Sequence, residues 1–391
     1  MKKNVLNGLA FMSMLFAAVG LSSCLNSDDE TIILEAPSTG IPDDSQAEEN
    51  PNVSSTTTNI PNIQTTLDDI NGVPVIRIDL TGIKNNDGTD WLRLYGTGSD
   101  KQNVWVEVDG QPKGILVYNN ADNQGDQTIM TDVVFTVDNS GSMSQEADAI
   151  ARDILSWAQL LSNSGLDVRF GIVGYGGYVD GAINLTTVNE LSEYLNQRTG
   201  VGRTMQFGGS DADQLATYAS SFPNTGLNES DRECGAMAIE FADTYFSFRS
   251  GANRIYVNFT DEPNQPNGIS NYSVKFFETQ TNWPASKGTV HTVFSDTKFT
   301  NNNWNYNEQP WLISEYTGGT TLFTSSSFSG VTLESLPVTG AMENSYVIRF
   351  TNISELLDGK PHSIHITVIS EDGTVRADKT FTAIFGDSSS I

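Results

Sequence analysis

Three oxygen-bearing side chains recur at every second position in Asp138-Asn139-Ser140-Gly141-Ser142. One carboxylate and two hydroxyls converging in a tight turn form a hard-oxygen cluster, the donor type that Mg²⁺ and Ca²⁺ prefer over soft metals. Gly141 permits the backbone angles such a turn can require. Other chemistry is poorly represented. Of the three histidines, His291 falls on an expected strand, while His362 and His365 are spaced to lie on opposite faces of another. No His-Glu-x-x-His, Gly-x-Ser-x-Gly or phosphate-cradling glycine loop occurs, and the glycine cluster at 174–177 reads as a turn. Cys234, in Arg-Glu-Cys-Gly-Ala-Met-Ala, reads as a small hydrophobe on a helix. An enzyme is not expected.

The elements that position the cluster follow from periodicity. Strand candidates at 132–137, 168–173, 255–259, 289–294 and 320–323 are mostly continuous apolar or β-branched runs, as parallel strands covered on both faces should be. Helical spacing recurs at 144–161, 188–196, 231–248, 273–281 and 309–316. This alternation argues for a doubly wound, mostly parallel α/β sheet, with Asp138 at a strand's carboxyl end, where open sheets bind ligands. The flanks alternate with period two instead: Ile76/Ile78/Leu80, Leu92/Leu94, Val104/Val106/Val108 and Ile115/Val117 before, then Tyr346/Ile348/Phe350, Ile364/Ile366/Val368 and Val375/Ala377 with Phe381/Ala383/Phe385 after. Seven strands suit an all-β immunoglobulin-like sandwich, interrupted by the α/β domain.

The segment from Asp132 to Met143 resembles the von Willebrand factor type A domain, whose metal-ion-dependent adhesion site carries Asp-x-Ser-x-Ser after a buried strand. Asn253 to Glu262, Asn-Arg-Ile-Tyr-Val-Asn-Phe-Thr-Asp-Glu, resembles that family's later strand ending in Thr-Asp. The resemblance covers about residues 130–330 and implies one divalent cation, Mg²⁺ with Ca²⁺ or Mn²⁺ as alternatives, held by Asp138, Ser140, Ser142 and Asp261. It further implies a ligand from an intermediate loop, for which Ser230, beside Glu229 and Asp231, is favoured over the Ser210/Asp211 loop. Glu262 stands where the family usually has glycine.

Residues 1–23 open with Lys2 and Lys3 and continue as a short apolar run, the pattern of a cleaved export signal. Leu21-Ser22-Ser23-Cys24 resembles a bacterial lipoprotein box, which implies lipidation of Cys24. The acidic run after it is similar to the signal for display on the outer face of the outer membrane. The domain reading is therefore 1–23 signal peptide, 24–69 lipidated cysteine and disordered acidic tether, 70–128 first part of the sandwich, 129–332 type A domain, and 333–391 second part. A net charge of −27 disfavours nucleic acid, and membrane contact is expected through the anchor alone. These features together lead to the expectation of a surface adhesion protein whose cation binds an acidic group of an extracellular protein or glycan ligand. The alternative is an assembly component of the envelope that binds a neighbouring envelope protein.

Overall fold

The computed structural model describes residues 38–85, 90–122, 130–163, 167–197, 207, 213–225, 233–295, 307–325, 333–335 and 338–386. The strands before the central region are β1 (Gln64–Ile70), β2 (Val73–Leu80), β3 (Val104–Val108), β4 (Gln111–Pro112) and β5 (Ile115–Asn119). The centre runs β6 (Met130–Asp138), α1 (Ala147–Asn163), β7 (Asp167–Tyr175), β8 (Val179–Thr186), α2 (Val188–Gln197), α3 (Asp213–Ser221), α4 (Gly235–Tyr245), β9 (Asn253–Thr260), β10 (Thr289–Phe294), α5 (Pro310–Thr317), β11 (Thr321–Phe323) and α6 (Val338–Glu343). Three strands follow: β12 (Tyr346–Phe350), β13 (Pro361–Ile369) and β14 (Arg376–Ile384).

The central sheet has six strands in the order β11-β10-β9-β6-β7-β8, parallel throughout except for the antiparallel edge strand β8. β6 is buried along nearly its whole length because helices cover both faces. Val133, Phe135 and Val137 pack with Ile150, Ile154, Trp157 and Leu161 of α1. Val134, from the opposite face, joins Met237, Ile239 and Phe241 of α4. Each such side chain contributes about 1.5–3 kcal/mol on burial, which fixes the strand whose carboxyl end carries Asp138.

The flanking strands form two four-stranded antiparallel sheets, β1-β2-β12-β5 and β14-β13-β3-β4. Both sheets draw strands from both flanks: β12 lies between β2 and β5, and β13 pairs β3. Their inner faces share one core that includes Ile76, Ile78, Val106, Ile348, Ile366 and Phe381. The count differs from the seven strands expected. Leu92 and Leu94 form no strand; the backbone of Leu94 bonds instead to the Asn119 side chain, whose Oδ1 accepts its N–H (2.9 Å) and whose Nδ2 donates to its carbonyl (2.9 Å). A side-chain amide thus replaces the ladder there.

The tether expected over 24–69 is corrected over its described part, 38–69. The Lys113 Nζ to Asp44 Oδ2 distance is 3.0 Å, Asn50 Nδ2 donates to the His365 carbonyl at 3.2 Å, and Thr57 N–H donates to the Arg376 carbonyl at 2.7 Å. Ile60 and Ile63 are buried, and Gln64 begins β1. Polar partners distant in sequence order this segment, so its composition alone resembles disorder. The boundary at 333 shifts too: Leu333 and Met342 pack in the α1 core, and Trp157 Nε1 donates to Thr339 Oγ1 at 2.5 Å. In place of a helix over 273–281 there is a 3-10 turn, Val274–Glu278, whose first N–H donates to the Glu308 carboxylate at 3.0 Å.

Candidate metal centre

β6 ends on Asp138, whose side chain is buried. Ser140 N–H donates to Asp138 Oδ1 at 2.8 Å and turns the chain, while Asn139 N–H donates to the Tyr175 carbonyl at 2.7 Å and keeps the turn against β7. Gly174 is required beside it: a Cβ there would lie 1.8 Å from the Phe207 carbonyl oxygen. Ser140 Oγ and Ser142 Oγ are 2.9 Å apart, and Ser142 Oγ donates to Asp261 Oδ1 at 3.1 Å. β9 presents Asp261 directly after its last residue, Thr260, which donates from Oγ1 to Asp138 Oδ2 at 3.1 Å. Asp138, Ser140, Ser142 and Asp261 are thus brought together. Ser230, Glu229, Asp231, Ser210, Asp211 and Cys24 lie outside the described residues.

A residue missed by sequence reasoning completes the cluster. One oxygen from each of Asp138, Glu233 and Asp261 lies within 4.8 Å of the others. Glu233 is held by its backbone: its carbonyl accepts from Gln265 N–H at 2.9 Å, and the next residue, Cys234, donates its N–H to the Gly176 carbonyl at 3.3 Å. Asn264 Oδ1 accepts from Ala236 N–H (3.1 Å) and from the Cys234 thiol (3.3 Å), anchoring the start of α4. Cys234 therefore precedes the helix instead of lying within it, and burial pushes its thiol up to about 12, which keeps it protonated. The expected helix began at 231, whereas α4 begins at Gly235, so Glu233 belongs to the loop. The available signal was an acid abutting Cys-Gly-Ala-Met-Ala, a run small enough to demand close burial.

Burial dominates the electrostatics. It raises the Asp138 carboxyl above the ordinary range, and it raises Glu233 with a further push from the charge of Asp138. Burial and then Asp138 bring Asp261 up to about 7, and the same two causes raise Glu262. Among the described residues none of these four acids forms an ion pair with Lys or Arg. Glu233 Oε2 is buried with no hydrogen-bond partner. Clustered carboxylates in a low dielectric are costly unless protonated or matched by a cation. Carboxylate and hydroxyl oxygens alone make up the set, so its chemistry fits a hard divalent ion.

Fold and site define an α/β domain whose mostly parallel sheet carries an oxygen-only acidic cluster at its carboxyl edge, set between the strands of a two-sheet β unit. The chain matches no known protein family and no curated protein. Among solved structures it is similar to an aerotolerance-related membrane protein from Bacteroides fragilis NCTC 9343, at 13% identity and a TM-score of 0.29, covering 54% of this chain and 98% of that one. It is also similar to the conserved hypothetical protein BatB from Bacteroides thetaiotaomicron (14%, TM-score 0.29, 50% and 90%). A third likeness is to the pilus adhesin SpaC from Lactobacillus rhamnosus GG in its open conformation (11%, TM-score 0.30, 82% and 55%), of which this chain spans about half the length. Similarity of this extent assigns neither family nor function. Among the described residues no helix is long and apolar enough to cross a membrane.

Proposed function

We propose that this chain is a lipid-anchored cell-surface binding protein whose central domain, of the von Willebrand factor type A kind, captures a protein or glycan partner through a divalent cation. The observation that carries this reading is the convergence of Asp138, Glu233 and Asp261 at a sheet's carboxyl end, with one Glu233 oxygen unpartnered. Asp138, Glu233, Asp261 and the hydroxyls of Ser140 and Ser142 would hold the ion. When bound, the ion supplies an electrophilic coordination position for a partner oxygen. The protein's own share is orientation. Thr260 Oγ1 and Ser140 N–H fix the two oxygens of Asp138, and the Gln265 and Asn264 contacts hold the Glu233 loop. Cys24 would tie the chain to the outer membrane, facing outward.

The test is capture of extracellular matrix proteins and glycans by cells that display the protein, with EDTA and with Mg²⁺, Ca²⁺ or Mn²⁺ restored. EDTA-reversible capture, lost in Asp138→Ala at unchanged circular dichroism, is the expected result. Capture indifferent to EDTA and to that substitution would overturn the proposal. Elution by EDTA of the cell's own envelope proteins alone would favour an assembly role.

A further inference from the structure

The geometry points to Glu233 as the residue that chooses both ion and partner: the centre takes calcium in preference to magnesium, and it is closed to a carboxylate ligand. The inference rests on the cation reading above and revises its expected partner, replacing an acidic group with a neutral oxygen donor, a hydroxyl or a carbonyl.

The donor count favours the larger ion. Asp138, Glu233 and Asp261 each place an oxygen within one 4.8 Å cluster, and Ser140 Oγ and Ser142 Oγ lead from it in a hydrogen-bonded chain to Asp261. Mg²⁺ demands near-octahedral geometry at about 2.0–2.1 Å, sheds water reluctantly and is commonly held by one or two carboxylates. Ca²⁺ takes about 6–8 oxygens at about 2.3–2.6 Å and accepts carboxylates in one- or two-oxygen contact. Three carboxylates beside two hydroxyls suit the larger ion. Glu233 is the third, and only 5% of it is exposed. Its Oε2 accepts no hydrogen bond from an N–H or hydroxyl of the protein, and the side chain meets the Asp138 carboxyl group.

Charge disfavours a carboxylate partner. Three carboxylates outweigh one divalent cation, so the loaded cluster keeps a negative charge. Glu262 adds another beside it: its carboxylate accepts from Gln265 Nε2 at 2.9 Å, and no cation among the described residues pairs with it. An incoming carboxylate would add a further like charge at short range in a poorly screened site. It would also have to compete with Glu233 for the ion. A hydroxyl or carbonyl oxygen fills a calcium coordination position without either penalty.

Titration calorimetry on the whole chain in detergent, with CaCl₂ and MgCl₂ as the probes, tests the ion choice. Wild type should bind Ca²⁺ at least about tenfold more tightly than Mg²⁺, and Glu233→Gln should weaken Ca²⁺ about 30-fold while changing Mg²⁺ by less than about threefold. Glu233→Asp, which keeps the charge on a shorter arm, should fall between, and near-ultraviolet circular dichroism checks that each variant keeps its packing. Poly-glutamate, the carboxylate probe, should show no EDTA-reversible binding to the Ca²⁺-loaded wild type. Equal or tighter Mg²⁺ binding, an unchanged Ca²⁺ affinity in folded Glu233→Gln, or EDTA-reversible poly-glutamate binding would each overturn the inference while leaving the cation reading intact. Wild type that binds neither ion would remove that reading itself.

Discussion

Asp132 and Asp138 stand six positions apart on the same strand, both with almost no exposure, and the two ends of β6 treat them in opposite ways. At the amino end Asp132 accepts from Arg249 Nε at 2.7 Å and from Arg249 N–H at 2.8 Å, and the same guanidinium reaches Asp167 at 2.6 Å and the Thr131 carbonyl at 2.9 Å. At the carboxyl end Asp138 has neutral donors, Ser140 N–H and Thr260 Oγ1, and meets other acids. One end has its counter-ion built into the chain. The other collects carboxylates around a buried oxygen without a partner, an arrangement that makes sense if the cation arrives from solution. Equal burial of the same residue type is therefore matched by the chain's own cation at one end of the sheet and, on the proposed reading, by a bound ion at the other.

The contrast breaks most sharply under substitution. Asp138→Ala should weaken divalent-ion binding by at least about 100-fold, read by calorimetry, with the far-ultraviolet spectrum retained. Comparable heats for variant and wild type would place the ion elsewhere. Asp132→Ala should leave ion affinity unchanged yet cost about 2 kcal/mol in urea unfolding, because it removes a buried carboxylate that accepts from the Arg249 backbone and guanidinium and leaves that guanidinium with Asp167 alone as carboxylate partner. Ions sharpen the comparison: at a concentration of about 100 Kd, the ion should stabilise wild type by about 2.7 kcal/mol and Asp138→Ala by nearly nothing. In EDTA, Asp138→Asn should be neutral or stabilising by about 1 kcal/mol, since it removes a charge the apo site does not match. A loss as large as that of Asp132→Ala would mean that Asp138 is structural after all.

The smallest effect belongs to the β unit, where acids meet imidazoles. His362 Nδ1 lies 2.7 Å from Asp109 and Nε2 lies 3.0 Å from Asp358. Burial pulls the His362 pKa down, but the two carboxylates outweigh it and hold the group above its ordinary value. A raised histidine stabilises the fold fully below its unfolded pKa of about 6.5, and that contribution is lost as pH rises through the higher folded value. Asp109 is lowered chiefly by the His362 bond, so its contribution exists above its unfolded pKa and fades in acid. The His362 cluster should therefore account for a loss of less than about 1 kcal/mol between pH 6 and 8, measured as the difference between thermal melts of wild type and His362→Gln. The slope that Asp261 contributes is common to both proteins, and an identical total slope in the variant would discount the cluster.

Legibility in the sequence followed how local each determinant is. The central sheet was readable because Val133 to Val137 is a continuous apolar or β-branched run and Thr289 to Phe294 is one apart from His291, and Asp138, Ser140 and Ser142 were readable because they share one turn. Asp261 followed from the resemblance of a strand ending in Thr-Asp, a second local mark. Glu233 was not legible, because its role depends on where α4 starts and on Asn264 and Gln265, about thirty residues further on, which fix that start. The segment 38–69 misled for the same reason: Asp44 and Asn50 are ordered by Lys113 and His365, partners no composition window contains. The strand expected at Leu92 and Leu94 had the right alternation, but the Asn119 amide satisfied its backbone first.

The interleaved flanks also have a mechanical consequence. Asn119, the last residue of β5, pairs with Tyr346, the first of β12, and Asn120 N–H donates to the Ser345 carbonyl at 2.9 Å. The chain thus leaves the β unit and re-enters it through neighbouring residues of two bonded strands. Tension between the two bodies divides over both connections at once and is shared with the contacts that tie Asn62 to the Gly288 carbonyl, Gln64 to the Ser286 carbonyl and Ala285 into the β-unit core. End-to-end stretching, which would unravel the six-stranded sheet from its termini, is not what such a load applies. A load on the carboxyl edge would pull on a domain whose two chain connections leave and re-enter side by side.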